Sequence, residues 1–127
     1  MSLRNADKPR AIDTARKLHE LGYRIVATRG TAAALGAAGV PVTPVNKVAE
    51  GRPHVVDMIV NDEIAMVVNT VEEKRSAIHD SYAIRRAALH DSVPTFTTLA
   101  GARAAVIGME HMRDLVPYSL QALHAEL

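Results

Sequence analysis

Stretches with helical spacing and stretches with strand spacing alternate along the chain. Ile12, Ala15 and Leu18 recur every three residues, which predicts a helix over 7–21, capped by Asp7 and ended by Gly22. Residues 64–68 are apolar without interruption, as in a strand buried on both faces of a sheet. The same reasoning predicts further strands at about 23–28, 40–45 and 93–97, and further helices from about 29 to 39 and over 54–61, 76–90, 98–109 and 118–126.

Strands that alternate with helices favour an α/β fold in three layers, in which helices cover both faces of a parallel sheet. In such a fold the helix over 7–21 should follow a central strand, and only residues 2–4 stand before it. We therefore expect that residues 1–127 form one domain cut from a longer polypeptide, within or just before its first strand.

Four polar residues lie at or just after the ends of predicted strands, namely Thr28, Lys47, Asn69 and Thr97. The carboxyl ends of parallel strands meet at one edge of the sheet, where ligands of such folds bind. The sequence therefore predicts that these residues converge on a single pocket.

Composition narrows the classes of function. A chain of 127 residues with 48% hydrophobic and 23% charged residues is ordinary for one globular domain. Aromatic residues make up 3% and the net charge is +1, which disfavours a nucleic-acid surface built on stacking and basic charge. The chain has no cysteine, no histidine spacing typical of a metal site and no apolar run long enough to span a membrane, so we predict a cytoplasmic protein without a metal.

The segment Thr28–Thr31 joins a predicted strand to an alanine-rich helix through hydroxyl groups and Gly30. Such a junction presents free backbone N–H groups and the positive end of a helix dipole, which favour a phosphate group. Lys47 can add a positive charge and the threonines can add hydroxyl donors. The plain alternatives are an ordinary capped turn and a lysine that extends along the surface.

The chain resembles a known family in several strings: ATRGTAAALGAAGV, VNKVAEGRPHVVDMI, VVNT, RRAAL and TFTTLAGA. They are similar to the C-terminal allosteric domain of the large subunit of carbamoyl phosphate synthetase. This resemblance implies a methylglyoxal-synthase-like, Rossmann-like fold with a central parallel sheet of five strands. It also implies a regulatory role in a much larger ATP-dependent ligase that supplies carbamoyl phosphate to pyrimidine and arginine biosynthesis.

The resemblance further implies that this domain has no catalytic residues and no cofactor, and that it binds nucleotide effectors such as UMP or IMP. Its implied partners are the catalytic domains of the same subunit and a small glutaminase subunit, in an enzyme that uses ATP, Mg and K ions. By position in the family, ornithine lies near Thr97 and the ribose or base near Asn69. The nucleotide phosphate would be held by Lys8, Thr28, Gly30, Thr31 and Lys47, with Ser2 as a further contact.

Two positions depart from the family pattern: Val71 replaces a hydroxyl residue and Thr95 replaces a tyrosine. They keep open a docking or oligomerisation module that has lost its ligand. A free-standing phosphate lyase like methylglyoxal synthase is a third hypothesis. That chemistry needs a carboxylate base beside the phosphate, and the corresponding loop here reads Gly51-Arg52-Pro53.

Overall fold

The computed structural model describes residues 1–52, 54–71 and 75–126, with side chains for 1–48, 50–52, 54–71 and 78–112. These residues form parallel strands and helices that alternate along the chain, as expected for an α/β protein. In chain order the elements are α1 (Ile12–Glu20), β1 (Val26–Thr28), α2 (Arg29–Ala37), β2 (Thr43–Val45), α3 (Val55–Val60), β3 (Val67–Val68), α4 (Arg75–His90), β4 (Thr95–Phe96) and α5 (Leu99–Glu126).

The helix predicted over 7–21 begins later than its apolar pattern indicates. The chain forms two 3-10 turns, Asn5–Asp7 and Pro9–Ala11, before α1, and Pro9 occupies the first position of the second turn, where its missing backbone proton leaves no bond unmade. Asp7 does not cap α1, because Ala11 is at the N-cap position; the Asp7 carboxylate instead accepts a hydrogen bond from Arg4 Nε at 2.8 Å. The predicted end is confirmed: Gly22 adopts a φ of 96° directly after the helix.

The strands form two parallel pairs, β1 with β2 and β3 with β4. The single five-stranded sheet that the resemblance implies is not observed among the described residues. Residues 1 and 2 lie between the two pairs, where Thr28 N donates to Met1 O at 3.1 Å and Ser2 N donates to Val68 O at 2.9 Å. Ser2 makes an isolated parallel bridge to Asn69 and is not part of a regular strand.

The amino terminus is buried in this gap. The Met1 ammonium donates to Val26 O at 2.6 Å, and burial lowers the pKa of this amino group from 8.0 to about 5. In this chain, the amino group therefore loses its proton at a lower pH than an exposed amino group does.

The two helices predicted at the end of the chain are one, because α5 runs without a break from Leu99 to Glu126. The prediction left residues 110–117 between two helices, over 98–109 and 118–126, and this gap includes Pro117. A proline inside a helix removes one backbone donor and crowds the carbonyl four residues before it, which can kink a helix without ending it.

The core has three clusters of buried side chains. Leu35 and Val106 belong to the first, which α1, α2 and β1 also line. Ile59 and Ile84 belong to the second, between α3, α4 and β3. Leu3 belongs to the third, with residues of β3 and α5. Burial of such side chains contributes roughly 1.5–3 kcal/mol each and fixes the strand ends relative to α2 and α5.

Candidate functional site

The junction of β1 and α2 holds two buried threonines. Thr28 precedes the first turn of α2, and Thr31, within that turn, is 0% exposed. Their hydroxyl oxygens are 3.5 Å apart, and Thr31 Oγ1 accepts a hydrogen bond from Leu3 N at 3.2 Å. The backbone of Leu3 thus fixes the position of the first turn of α2.

Lys8 places its ammonium group over the same turn. A Cβ added to Gly30 would lie 2.6 Å from Lys8 Nζ, so only glycine leaves room for this group. Lys8 Nζ also donates to Asn5 Oδ1 at 2.6 Å. A cation at the positive end of a helix dipole is unfavourable on its own, and a bound anion would make both charges favourable.

Arg29 links this turn to the loop that carries Lys47. One terminal nitrogen of Arg29 donates to Asn46 Oδ1 at 2.9 Å, and Asn46 also forms a parallel bridge with His54. The Lys47 side chain is exposed, two residues beyond the end of β2. The contact between Arg29 and Asn46 was not predicted. The feature of the sequence that could have indicated it is the basic residue next to Gly30.

Asn69 is the buried polar residue at the end of β3. It is 3% exposed, and its backbone N–H donates to Phe96 O of β4 at 2.9 Å. Its side-chain Nδ2 is buried without a hydrogen-bond partner among the described protein atoms. Leaving a buried donor unpaired costs about 1–3 kcal/mol, so this group is a candidate for a hydrogen bond to a bound molecule.

Thr97 lies elsewhere on the same edge, in a groove of about 530 Å³. Val71 lines this groove as well, whereas Thr95 is in β4 and its hydroxyl donates to Val93 O at 3.3 Å. Sequence reasoning missed the arginines here, because they come from distant parts of the chain with no shared motif. We call this concavity the arginine groove; its polar lining is Arg4, Asp7, Arg10, Thr70, Thr97, Thr98 and Arg103.

The predicted site residues therefore divide into groups. Lys8, Thr28, Gly30 and Thr31 surround the start of α2. Asn69 is joined to them through the backbone of residues 2 and 3, and Lys47 through Asn46 and Arg29. Thr97 lines the separate arginine groove.

The lyase hypothesis requires a carboxylate base, and the acidic residue that follows the relevant loop is Asp57, in the first turn of α3. Its carboxylate accepts a hydrogen bond from His54 N at 2.9 Å and lies 3.5 Å from Arg52 Nε. These partners hold the carboxylate in its own turn. In the parts of the chain that the structure describes, no group of three histidine or acidic side chains is placed to bind a metal ion. Nor does a helix in those parts have the length and apolar character needed to cross a bilayer.

A sequence profile of the MGS-like domain family matches residues 10–97, from the turn before α1 to the end of β4. Because this match covers more than half of the chain, the protein belongs to the MGS-like domain family.

Several relatives that are similar over nearly all of the chain are named carbamoyl phosphate synthase large chain. The protein from Ralstonia nicotianae is 61% identical over 127 residues, 100% of this chain. Those from Halomonas eurihalina and Pasteurella multocida are 53% identical over 98% of the chain and 50% identical over 100%. The chain spans 12% of the length of each of these three relatives. The resemblance inferred from the sequence motifs is thereby confirmed.

Proposed function

We propose that the chain is the effector-binding regulatory domain of a carbamoyl phosphate synthase large chain, and that the start of α2 binds the phosphate of a nucleotide such as UMP or IMP. The observation that carries this proposal is the Lys8 ammonium beside Gly30, at the positive end of α2. The ammonium group and the positive end of the helix dipole converge here, and no acidic neighbour is described. An anion that lies between them stabilises both.

The other predicted residues supply selectivity in this proposal. Asn69 Nδ2, which is buried and unpaired within the described protein atoms, donates to an acceptor of the ribose or base. Lys47 approaches the phosphate from the end of β2, on the loop that Arg29 ties to α2. A nucleoside without phosphate would lose the charged contacts and bind far more weakly.

We also propose how effector binding changes the structure outside the site. Residues 1–3 act as the central strand of a five-stranded sheet, joining the two observed strand pairs. Leu3 N donates to Thr31 Oγ1, so an effector that orders the first turn of α2 also orders this strand. A coupling free energy of about 1–3 kcal/mol is typical of regulation of this kind.

The partners proposed for the domain belong to the longer enzyme: catalytic domains that use ATP, Mg and K ions, and a small glutaminase subunit. That enzyme would supply carbamoyl phosphate to pyrimidine and arginine biosynthesis. Ornithine near Thr97 would require carboxylates from a neighbouring domain. Asp7 is the one acidic residue among the described residues that line the arginine groove, and it is paired with Arg4.

The test is isothermal titration calorimetry of the chain with UMP, IMP, uridine and inorganic phosphate. We expect saturable binding of a nucleotide, little binding of uridine, and affinity at least about tenfold weaker in Lys8→Met, because a charge-assisted hydrogen bond is lost. Lys17→Met is the matched control, since Lys17 lies on α1 in partly exposed ion pairs with Asp13 and Glu110, away from the start of α2. No nucleotide binding by the folded chain would contradict the proposal and favour a docking module.

A further inference from the structure

The arginine groove holds an excess of positive charge. Its lining has three guanidinium groups, from Arg4, Arg10 and Arg103, and a single carboxylate, from Asp7. Like charges that converge on a concave surface repel one another, and the groove focuses their field on any anion that enters.

The one acidic residue does not neutralise the groove. Asp7 is 4% exposed and is engaged by Arg4 Nε at 2.8 Å. The rest of the Arg4 side chain remains half exposed, so this contact orients the guanidinium group with its terminal nitrogens still able to donate. Arg10 and Arg103 are exposed and reach the groove from the turn before α1 and from α5.

Hydroxyl groups and a helix start complete the lining. Thr98 caps α5, since its Oγ1 accepts a hydrogen bond from Gly101 N at 3.1 Å. Leu99 and Ala100, the first residues of α5, line the groove, so the positive end of this helix dipole adds to the arginine charges. Thr97 is exposed at its edge and offers a further donor.

This groove is distinct from the site at the start of α2. Lys8, Thr28, Gly30, Thr31 and Asn69 are not among the described residues that line it. Its volume of about 530 Å³ is within the range of small-molecule pockets. Arginine is the side chain best suited to bind carboxylate and phosphate groups through paired hydrogen bonds.

We propose that the arginine groove is a second anion site, which takes a small molecule carrying two or more carboxylate or phosphate groups. The excess of two positive charges matches at least two separate anionic groups. A ligand with one such group leaves part of this charge unneutralised.

The test follows backbone amides by nitrogen-15 NMR while pyrophosphate or citrate is added at constant ionic strength. The Gly101 amide reports on this groove, and the Gly30 amide reports on the start of α2. We expect saturable shifts at Gly101, with acetate binding at least about tenfold more weakly than citrate because it engages one arginine instead of two or more.

Arg103→Ala and Arg10→Ala should each weaken the response of Gly101 at least about tenfold and leave the response of Gly30 unchanged. Both side chains are exposed, so these variants should fold. Arg86→Ala is the matched control: it removes the same charge from the exposed face of α4 and should change either affinity less than twofold.

Three results would overturn this inference: shifts at Gly101 that never saturate, equal affinity in Arg103→Ala, or acetate binding as tightly as citrate. A failure of the proposed phosphate site would give a different result in the same titrations. In that case Gly30 does not respond to inorganic phosphate or UMP, whatever happens at Gly101.

Discussion

Replacing Gly30 with alanine should make the domain more stable and its affinity for phosphate weaker. Gly30 is the second residue of α2, and an added Cβ would lie 2.6 Å from Lys8 Nζ. Non-bonded atoms do not approach so closely, so the ammonium group must leave. It can do so without moving the backbone, because Nζ is the end of a flexible side chain.

The two effects have different magnitudes. Alanine is favoured over glycine by up to about 1 kcal/mol inside a helix, and we expect about 0.5 kcal/mol in this first turn. Moving a cation away from the helix start adds a few tenths of a kcal/mol. Loss of a charge-assisted hydrogen bond to phosphate costs about 1.5–3 kcal/mol, which corresponds to roughly 10- to 150-fold weaker binding.

Urea denaturation without ligand measures the first effect, and calorimetry with inorganic phosphate and UMP measures the second. Gly36→Ala is a control in the same helix, because its added Cβ would make only an ordinary contact, 3.9 Å from Val42 Cγ1. That variant should gain stability and keep its affinity. Unchanged phosphate affinity in Gly30→Ala would refute the role of Lys8. A large loss of stability would contradict the observation that the added Cβ meets only the flexible Lys8 side chain.

Three further predictions concern stability. Thr31→Val removes the acceptor of the buried Leu3 N–H and should cost about 1–3 kcal/mol in urea denaturation, whereas Thr43→Val at an exposed position should cost little; equal effects would contradict the importance of this hydrogen bond. The Met1 amine has a pKa of about 5 when folded and 8.0 otherwise, so the unfolded chain binds the extra proton, and lowering the pH from 8 to 5 should reduce the free energy of unfolding by up to about 4 kcal/mol. Acetylation of this amine, in protein shown by mass spectrometry to retain Met1, should abolish that component, and an identical pH profile would contradict its burial. Leu35→Ala should cost about 2–5 kcal/mol, since the side chain is 0% exposed, and a cost below about 1 kcal/mol would contradict the packing of the first cluster.

Much of the fold could be predicted from periodicity, because it depends on burial patterns that are local in sequence. The helices predicted over 54–61 and 76–90 correspond to Val55–Val60 and Arg75–His90 within two residues. The strand predicted over 64–68 is observed only at Val67–Val68, since strand length depends on the neighbour that is available for pairing. The single predicted sheet is not observed, because residues 1 and 2 contribute hydrogen bonds and one isolated bridge between the two strand pairs instead of a regular strand.

The candidate site was predictable where its residues share a motif or follow a strand. Thr28, Gly30 and Thr31 are adjacent in sequence, and the strand-to-helix junction that brings them together has a local signal. The contact of Lys8 with Gly30 has no such signal, and the residue was identified from the family resemblance alone. The arginine groove joins side chains about 100 residues apart, so only the packing of α5 against the chain start reveals it.

The most direct test of the central claim is a crystal structure of the chain in complex with UMP. We predict the phosphate at the first turn of α2, within hydrogen-bond distance of Lys8 Nζ and of the Gly30 or Thr31 backbone N–H, with Asn69 Nδ2 donating to the nucleoside. A phosphate bound instead in the arginine groove, with Lys8 still beside Gly30 and Asn69 unpaired, would contradict it.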